Sequence, residues 1–202
     1  SLVNPYQHTK KQAERIVLSA DLGDSGDFTT IVLRPGNVTG KGDTTSLFPM
    51  FAAMAKGGLP YVARGYYRTC PIHVEDLADA FLAAYRVKRP EKRVFNVVDD
   101  ERVRWRDFLE YAAAALGISP PRLSFPRSVS RIAAGTLEKL YRAFGSKTGP
   151  SITLYRVDQL CNHYTFDTSR AKSVLNFSPT RGWRRAVREA AESYKNRSVF
   201  SR

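Results

Sequence analysis

The chain has 202 residues, 43% hydrophobic and 25% charged, which is typical of a globular protein with one sizeable core or two small ones. Its net charge is +13, but the basic residues are spread out and accompany no zinc-ligand spacing or nucleic-acid-binding signature, so no nucleic-acid partner is expected. No apolar run reaches the ~18–20 residues of a membrane span, and two cysteines, Cys70 and Cys161, are too few for a disulfide framework or a metal site, which favours a reducing, cytoplasmic setting.

The first predicted element is a helix that begins beside Asn4, a capping residue, and Pro5, which suits the first helical position. The helix continues to Val17 and places Tyr6 and Lys10, four residues apart, on one face. An ammonium close to a phenol stabilises the phenolate, which would let Tyr6 act as a general acid or base near neutral pH. The spacing alone is weak evidence, because such a pair occurs by chance in many helices.

Two short segments are predicted to be buried strands. The β-branched residues 29–33 follow a Gly/Asp/Ser turn at 23–27 and predict the first strand. Residues 34–43 contain Pro35 and three glycines, so a loop is predicted there rather than regular structure. The apolar residues 94–98 predict the second strand.

Three later segments show apolar residues at helical spacing. The apolar positions are Leu77, Ala80, Phe81 and Ala84 in the first helix; Trp105, Phe108, Leu109, Ala112 and Leu116 in the second, which Gly117 ends; and Trp183, Ala186, Val187, Ala190, Ala191 and Tyr194 in the third. Ahead of the first helix, His73 is predicted to be a packing residue, and Glu75 and Asp76 are predicted to complement the helix dipole. Helices that alternate with short apolar strands indicate an α/β fold.

Residues 128–144 predict a basic amphipathic helix. The residues assigned to its inner face are Val129, Ile132, Ala133, Leu137, Leu140 and Phe144, and those assigned to its outer face are Arg127, Arg131, Lys139 and Arg142. We expect the apolar face to pack on the protein's own core. The alternative is that it rests on a bilayer or covers a hydrophobic substrate pocket, so membrane contact is an option and not a requirement.

Five segments carry a recognisable pattern in a fixed order. They are Asn-Pro-Tyr-x-x-x-Lys-x-x-Ala-Glu at 4–14, Leu-Arg-Pro-Gly-Asn-Val-Thr-Gly-Lys-Gly-Asp at 33–43, Pro-Ile-His-Val-Glu-Asp-Leu-Ala at 71–78, Phe-Asn-Val at 95–97, and Phe-Asp-Thr-Ser-Arg-Ala at 166–171 with Leu-Asn-Phe-Ser-Pro at 175–179. Together they resemble the extended short-chain dehydrogenases/reductases, the family of NAD-dependent epimerases and dehydratases. Leu-Tyr-Arg-Val at 154–157 ahead of Tyr-Thr-Phe-Asp at 164–167 is most similar to the 3β-hydroxysteroid dehydrogenase branch.

The resemblance implies an α/β fold that combines the C-terminal part of a Rossmann-type parallel sheet with a smaller, mainly helical substrate domain. Residues 1–45 would be the remainder of the dinucleotide-binding domain. Residues 46–202 would form mainly the substrate-binding domain, with 74–98 returning to the Rossmann-type core.

The resemblance also implies an enzyme that uses NAD or NADP to transfer a hydride at a secondary alcohol or ketone, with a 3β-hydroxysteroid-like substrate preferred. Tyr6 would exchange a proton with the substrate oxygen, and Lys10 would assist it and bond the nicotinamide ribose. Backbone contacts to the nicotinamide would come from Pro35, Gly36, Asn37 and Val38. Arg68 is a candidate substrate ligand, and a homodimer that pairs through the helix of Tyr6 is expected.

The family's pattern is incomplete in this sequence. The third catalytic residue, a Ser or Thr, would precede Ser1, as would the glycine-rich phosphate-binding loop and the acidic residue that binds the adenosine ribose. We therefore expect the chain to be the C-terminal portion of a longer enzyme and inactive in isolation. The alternative is a catalytically inactive relative that binds a ligand or a partner.

Overall fold

The computed structural model describes residues 5–20, 28–88, 90–144 and 152–199. The helices are α1 (Pro5–Ser19), α2 (Leu47–Ala55), α3 (Val74–Arg86), α4 (Trp105–Leu116), α5 (Arg127–Ala143), α6 (Leu154–Leu160), α7 (Ser169–Leu175) and α8 (Trp183–Val199). The strands are β1 (Val32–Pro35), β2 (Asn37–Thr39), β3 (Tyr61–Val62), β4 (Arg68–Thr69), β5 (Pro71–His73), β6 (Val94–Val97), β7 (Val103–Arg104) and β8 (Ser124–Phe125). The predicted cap Asn4 and the predicted turn at 23–27 lie outside the described residues.

The described strands pair two by two. β1 runs parallel to β6, with Val32 opposite Val94, and β2 runs parallel to β5, with Val38 opposite Ile72. β3 and β8 form a further parallel pair, and β4 and β7 form an antiparallel pair. Parallel strands joined through helices confirm the predicted α/β class.

The first strand begins later than predicted, and part of the predicted loop is extended, so the loop prediction is wrong there. β1 takes in Pro35, and β2 lies inside the segment predicted to be a loop. In β1, the backbone N–H of Val32 donates to the Arg93 carbonyl at 2.8 Å, and that of Gly36 donates to the Val97 carbonyl at 2.9 Å. Because alternate residues of a parallel strand bond to the same neighbour, the nitrogen of Pro35 faces away from β6 and its missing N–H costs no ladder bond.

The largest hydrophobic cluster lies between α2, α4 and α8, and it confirms the predicted inner faces of α4 and α8. Phe51 is fully buried in it, and the ring of Phe108 stacks on that of Trp183 with 5.6 Å between centroids. Gly117 ends α4 in the left-handed conformation, with φ of 75°, as its position after the last apolar residue predicted. A second cluster joins β5, β6, α3 and α7 around Ile72 and Phe95.

Helix α3 buries a narrower face than the sequence predicted. Ala80 and Ala84 are buried, and Leu77 packs against the second cluster. Phe81, however, is 58% exposed, so its predicted place on the inner face is wrong. Successive residues of a helix differ by about 100° around its axis. Ala80 faces the core, so Phe81 points to one side of the buried face.

Helix α5 has the predicted extent, but its orientation is opposite to the prediction. Ile132 is 70% exposed and Phe144 is 83% exposed, although both were assigned to the inner face. The side that faces α6 is instead the side of the buried Ala134, and it carries polar contacts: Arg131 pairs with Asp158 of α6. Hydrogen bonds to α6, rather than the apolar stripe, therefore set the rotation of α5 about its axis.

A buried carboxylate, Asp76, joins the start of α3 to the segment that leads into α8. It accepts hydrogen bonds from the backbone N–H groups of Thr180 and Arg181, each at 3.2 Å, and from the Arg181 guanidinium at 2.8 Å. Although burial opposes it, these donors hold the pKa of Asp76 below its usual value. The prediction for Glu75 and Asp76 is therefore incomplete: Glu75 also pairs with Arg181, at 2.8 Å, so both carboxylates form long-range contacts besides any effect on the helix dipole.

His73 supplies a second connection between the same two helices. It is fully buried, as expected for a packing residue, and its Nδ1 accepts the Glu75 N–H at 3.1 Å and so caps α3. Its Nε2 lies 3.2 Å from a carboxylate oxygen of Glu189 in α8. The β5–α3 junction is therefore fixed to α8 at two points.

We predict that Asp76→Asn lowers the free energy of unfolding by about 2–3 kcal/mol near neutral pH, because it leaves the N–H donors of Thr180 and Arg181 without the buried, charged acceptor that they share. The folded-state pKa of Asp76 is lowered, so its contribution is present above the unfolded-state value of about 3.9 and is lost as the pH falls through the folded-state value. Urea unfolding of wild type and variant should therefore converge in acid. Asp79→Asn removes an exposed carboxylate from the same Arg181 and should change stability little; an equal loss in both variants would contradict the assignment.

Candidate active site

Tyr6 and Lys10 lie on one face of α1, as the sequence predicted. The Lys10 ammonium nitrogen is 5.8 Å from the centroid of the Tyr6 ring. Tyr6 is 61% exposed, so its phenol is open to a ligand approaching this face of the helix. The two side chains are therefore neighbours on an exposed face of the helix.

A bidentate ion pair ties α1 to β1. The Arg34 Nε donates to one carboxylate oxygen of Glu14 at 2.8 Å, and its Nη2 donates to the other at 2.5 Å. These hydrogen bonds lower the pKa of Glu14 and raise that of Arg34. Elsewhere α1 is open, since Ile16 is 67% exposed and Val17 is 41% exposed. The Glu14–Arg34 pair therefore connects the helix of Tyr6 to the strand that leads into the predicted nicotinamide-contacting residues.

The chain changes its hydrogen-bonding neighbour at Gly36. The Gly36 N–H still donates to β6, whereas the Asn37 N–H donates to the Cys70 carbonyl at 2.7 Å, just ahead of β5. A Cβ at position 36 would lie 2.0 Å from that carbonyl oxygen, so no side chain fits there. The Asn37 side-chain amide donates to the Thr69 hydroxyl at 3.0 Å, and Val38 is 36% exposed. At residues 35–38 the chain therefore passes from β1 to β2, and its backbone packs closely against Val97 and Cys70.

A cavity of about 510 Å³ opens at the carboxyl end of β6. Its lining includes Thr69 and Cys70, which contact Asn37, together with the residues that follow β6 and a segment that contains Tyr164. Ligands of α/β proteins bind outside the carboxyl ends of parallel strands, so its position suits a small molecule. Burial raises the pKa of the Cys70 thiol, which leaves it a neutral wall residue.

Two carboxylates beside this cavity hold α8. Asp99 accepts the Trp183 N–H at 2.7 Å, and Glu101 accepts the Trp183 indole N–H at 2.8 Å. Burial raises the pKa of the Asp99 carboxyl, although the backbone N–H groups of Glu101 and Trp183 that donate to it act to lower it. Neither Asp99 nor Tyr164 is among the site residues predicted from the sequence, although Tyr164 begins the motif at 164–167. The position of Asp99 just beyond a predicted parallel strand was the available signal for it.

Arg68 lies on β4, opposite Arg104 of β7. Its backbone N–H donates to Nδ1 of His163 at 3.3 Å, and its carbonyl accepts the Tyr164 N–H at 3.1 Å. Arg68 directly precedes Thr69, whose hydroxyl accepts the hydrogen bond from the Asn37 side-chain amide. Arg68 therefore lies on β4, beside the cavity. Its strand pair, β4 with β7, is not the pair that the Glu14–Arg34 ion pair connects to α1. No metal-binding group of His, Cys, Asp or Glu side chains occurs within the described ranges.

The chain is similar to known proteins in sequence and in fold. Residues 1–97 match the model of the NAD dependent epimerase/dehydratase family. The chain is 29% identical over 173 residues to the 4-hydroxy-2-methyl-3-oxo-4-farnesyl-3,4-dihydroquinoline-1-oxide ketoreductase of Stigmatella aurantiaca, a match that covers 86% of this chain and 51% of the relative. It is 24% identical over 208 residues to the 3beta-hydroxysteroid-dehydrogenase/decarboxylase isoform 2 of Arabidopsis thaliana, covering 97% of this chain and 36% of the relative.

Among solved structures, the chain is similar to UDP-glucuronic acid 4-epimerase from Bacillus cereus, determined in complex with NAD. The TM-score is 0.67 at 15% identity, over 96% of this chain and 53% of the epimerase. This likeness confirms the predicted Rossmann-type α/β fold. The chain spans between about a third and a half of the length of the two curated relatives named above.

We predict that Gly36→Ala destabilises the protein by about 3 kcal/mol or more, because the new methyl group would meet the Cys70 carbonyl and force β1 and β5 apart. Thermal or urea unfolding measures the loss. Gly58→Ala is the matched control: a Cβ at position 58 meets only the Ala53 carbonyl, at 3.7 Å, so little change is expected. Equal stability of the two variants would show that the strands can separate at position 36 without cost.

Proposed function

We propose that this chain is a member of the NAD-dependent epimerase/dehydratase family of extended short-chain dehydrogenases/reductases, whose model matches residues 1–97, and that it supplies the Tyr–Lys half of an NAD(P)-dependent oxidoreductase active site. The observation that carries the proposal is the Tyr6–Lys10 pair on α1, which the Glu14–Arg34 ion pair ties to the strand before residues 35–38. This is the arrangement that would place a proton donor beside a nicotinamide.

Residues 35–38 fit a nicotinamide ring in two respects. Gly36 has no side chain and its backbone lies close to its neighbours, and Val38 offers a partly exposed apolar side chain. Pro35, Gly36, Asn37 and Val38 would therefore contact the ring largely through their backbone. When bound, NAD or NADP supplies or accepts the hydride.

The chain's own residues would manage the proton. In ketone reduction, Tyr6 would donate its phenolic proton to the substrate oxygen as the carbonyl carbon receives the hydride, which leaves a phenolate. The neighbouring Lys10 ammonium would stabilise that phenolate and bond the nicotinamide ribose. In alcohol oxidation, the phenolate would accept the hydroxyl proton, so both directions balance.

We propose a secondary alcohol or ketone on a hydrophobic alicyclic skeleton as the substrate. The names of the two curated relatives support it, since one is a farnesyl-dihydroquinoline-oxide ketoreductase and the other a 3β-hydroxysteroid dehydrogenase/decarboxylase. Arg68, on the strand beside the cavity, would contact a polar group of this substrate.

We also propose a domain organisation, an oligomeric state and a setting for the protein. Residues 1–45 would complete a dinucleotide-binding domain and 46–202 would form mainly the substrate domain, with 74–98 returning to the Rossmann-type core. Homodimerisation through α1 is supported by its exposed Ile16 and Val17. The setting would be cytoplasmic, and the function proposed here does not require membrane contact. No described helix is long and apolar enough to cross a bilayer.

We predict that Tyr6→Phe in the full-length enzyme keeps cofactor binding and lowers turnover of a cyclic ketone about a hundredfold or more, because the ring remains but the proton donor is lost. NADH binding is followed by fluorescence and turnover by NADH absorbance. Tyr85→Phe alters a tyrosine that is 89% exposed on α3 and should leave both unchanged. Undiminished turnover in Tyr6→Phe would refute the catalytic assignment, and absence of turnover in the wild type across an alcohol and ketone panel would favour the inactive relative.

We predict that Glu14→Gln lowers kcat about tenfold without loss of folding, because the weaker pairing with Arg34 lets α1 move relative to β1 and misplaces Tyr6. Steady-state kinetics measure the effect, and circular dichroism reports folding. Glu110→Gln removes the partner of Arg106, another exposed Arg–Glu pair, and serves as the control. If the two variants have the same kcat as wild type, the ion pair has no positioning role.

A further inference from the structure

Asn37 is held at two points by two consecutive residues that precede β5. Its side-chain amide donates to the hydroxyl of Thr69 at 3.0 Å, and its backbone N–H donates to the carbonyl of Cys70 at 2.7 Å. Thr69 is only 3% exposed, whereas Asn37 is exposed. The side-chain hydrogen bond therefore connects a fixed group inside the protein to a residue at the surface.

The position of Thr69 is set by the largest hydrophobic cluster. Thr69 lies on β4 opposite Val103 of β7, and Val103 is a buried member of that cluster. The Tyr67 carbonyl, two residues before Thr69, accepts the Trp105 N–H at 2.9 Å where α4 begins. The hydroxyl that binds Asn37 is therefore placed by the core and not by the segment that it holds.

Residues 35–38 need such a contact because their backbone contains a glycine. The ring of Pro35 fixes its own φ, but Gly36 has no side chain to restrict its backbone, and ordering a glycine costs more conformational entropy than ordering any other residue. The bond from the Asn37 amide to Thr69 restricts the backbone just beyond Gly36 before any ligand binds. A segment that is already ordered binds its ligand at a lower entropic cost.

We infer that Thr69 is a positioning residue for the nicotinamide: through Asn37 it holds residues 35–38 in the conformation that receives the ring. The inference rests on the proposed function, in which these residues contact the nicotinamide. Thr69 acts through Asn37 and needs no contact with the cofactor. Because Thr69 also lines the cavity at the carboxyl end of β6, one residue contacts both this cavity and the segment 35–38.

The test compares the binding of NADH and of ADP-ribose to the full-length protein by calorimetry. The two ligands share the adenosine diphosphate ribose, but only NADH carries the nicotinamide that residues 35–38 would contact. We expect Thr69→Val to raise the Kd of NADH about fivefold, the effect of about one net hydrogen bond, and to leave the Kd of ADP-ribose unchanged. Thr69→Ser keeps the hydroxyl and should bind NADH as wild type does.

Thr30→Val is the matched control. Thr30 is also buried, at 7% exposed, and its hydroxyl also accepts a hydrogen bond from a side chain, the Arg93 guanidinium at 3.2 Å. It lies before β1, at the end of the strand away from residues 35–38. Thr30→Val should therefore bind both ligands as wild type does, although it too removes a buried hydroxyl.

A double-mutant cycle tests whether Thr69 acts through Asn37. Asn37→Ala should also weaken NADH binding about fivefold, and Thr69→Val combined with Asn37→Ala should bind no more weakly than either single variant, since both remove the same contact. The inference is overturned if the two factors multiply, or if Thr69→Val weakens ADP-ribose as much as NADH.

The cycle also separates this inference from the proposed function. If Asn37→Ala weakens NADH binding and Thr69→Val does not, the role of Thr69 is wrong and the nicotinamide contact stands. If neither variant weakens it, the nicotinamide contact of residues 35–38 is wrong as well. Neither Kd involves proton transfer, so an error in the assignment of Tyr6 would be seen in turnover alone.

Discussion

The buried hydrogen bonds at the entry to α8 hold the two main hydrophobic clusters together. Asp76 of α3 accepts hydrogen bonds from Thr180 and Arg181. Asp99, two residues after the end of β6, accepts the backbone N–H of Trp183. Trp183 then begins the apolar face by which α8 packs in the first cluster. A buried carboxylate is stable only with such donors, so the position of α8 is defined by charge as well as by packing. Asp99 also lines the cavity at the carboxyl end of β6, so one residue serves both the cavity and the attachment of α8.

The catalytic candidates depend on a second, smaller set of contacts. At Gly36 the backbone leaves one strand pair for the next at a distance that permits no side chain, and this close approach fixes residues 35–38. Helix α1 is held differently, since its apolar side chains are largely exposed and a bidentate Glu14–Arg34 pair connects it to β1. The loop is therefore fixed by close backbone packing, whereas the side-chain contact from α1 to β1 is an exposed ion pair.

Helix α5 shows how polar contacts can override an apolar pattern. The hydrophobic effect favours burial of its larger apolar stripe, but Arg131 with Asp158 and Glu138 with the N–H of Leu154 turn the opposite side toward α6. The small residue Ala134 allows close approach on that side. The outcome is that the larger apolar side chains of α5, among them Ile132 and Phe144, face solvent.

Local sequence determined most of the secondary structure and carried the resemblance to the family. Residues within one or two turns of each other set the apolar spacing of α4 and α8, the left-handed Gly117 and the strand at Val94–Val97. The order of the five motifs predicted the Rossmann-type fold and drew attention to the Tyr6–Lys10 pair. Tertiary structure alone decided the rest: that Pro35 lies in a strand, that Phe81 and Ile132 face solvent, and that Asp76 binds Arg181 about a hundred residues away. The physical reason is that periodicity records which residues share a face, whereas the partner of that face is set by distant segments whose hydrogen bonds and charges no local pattern contains.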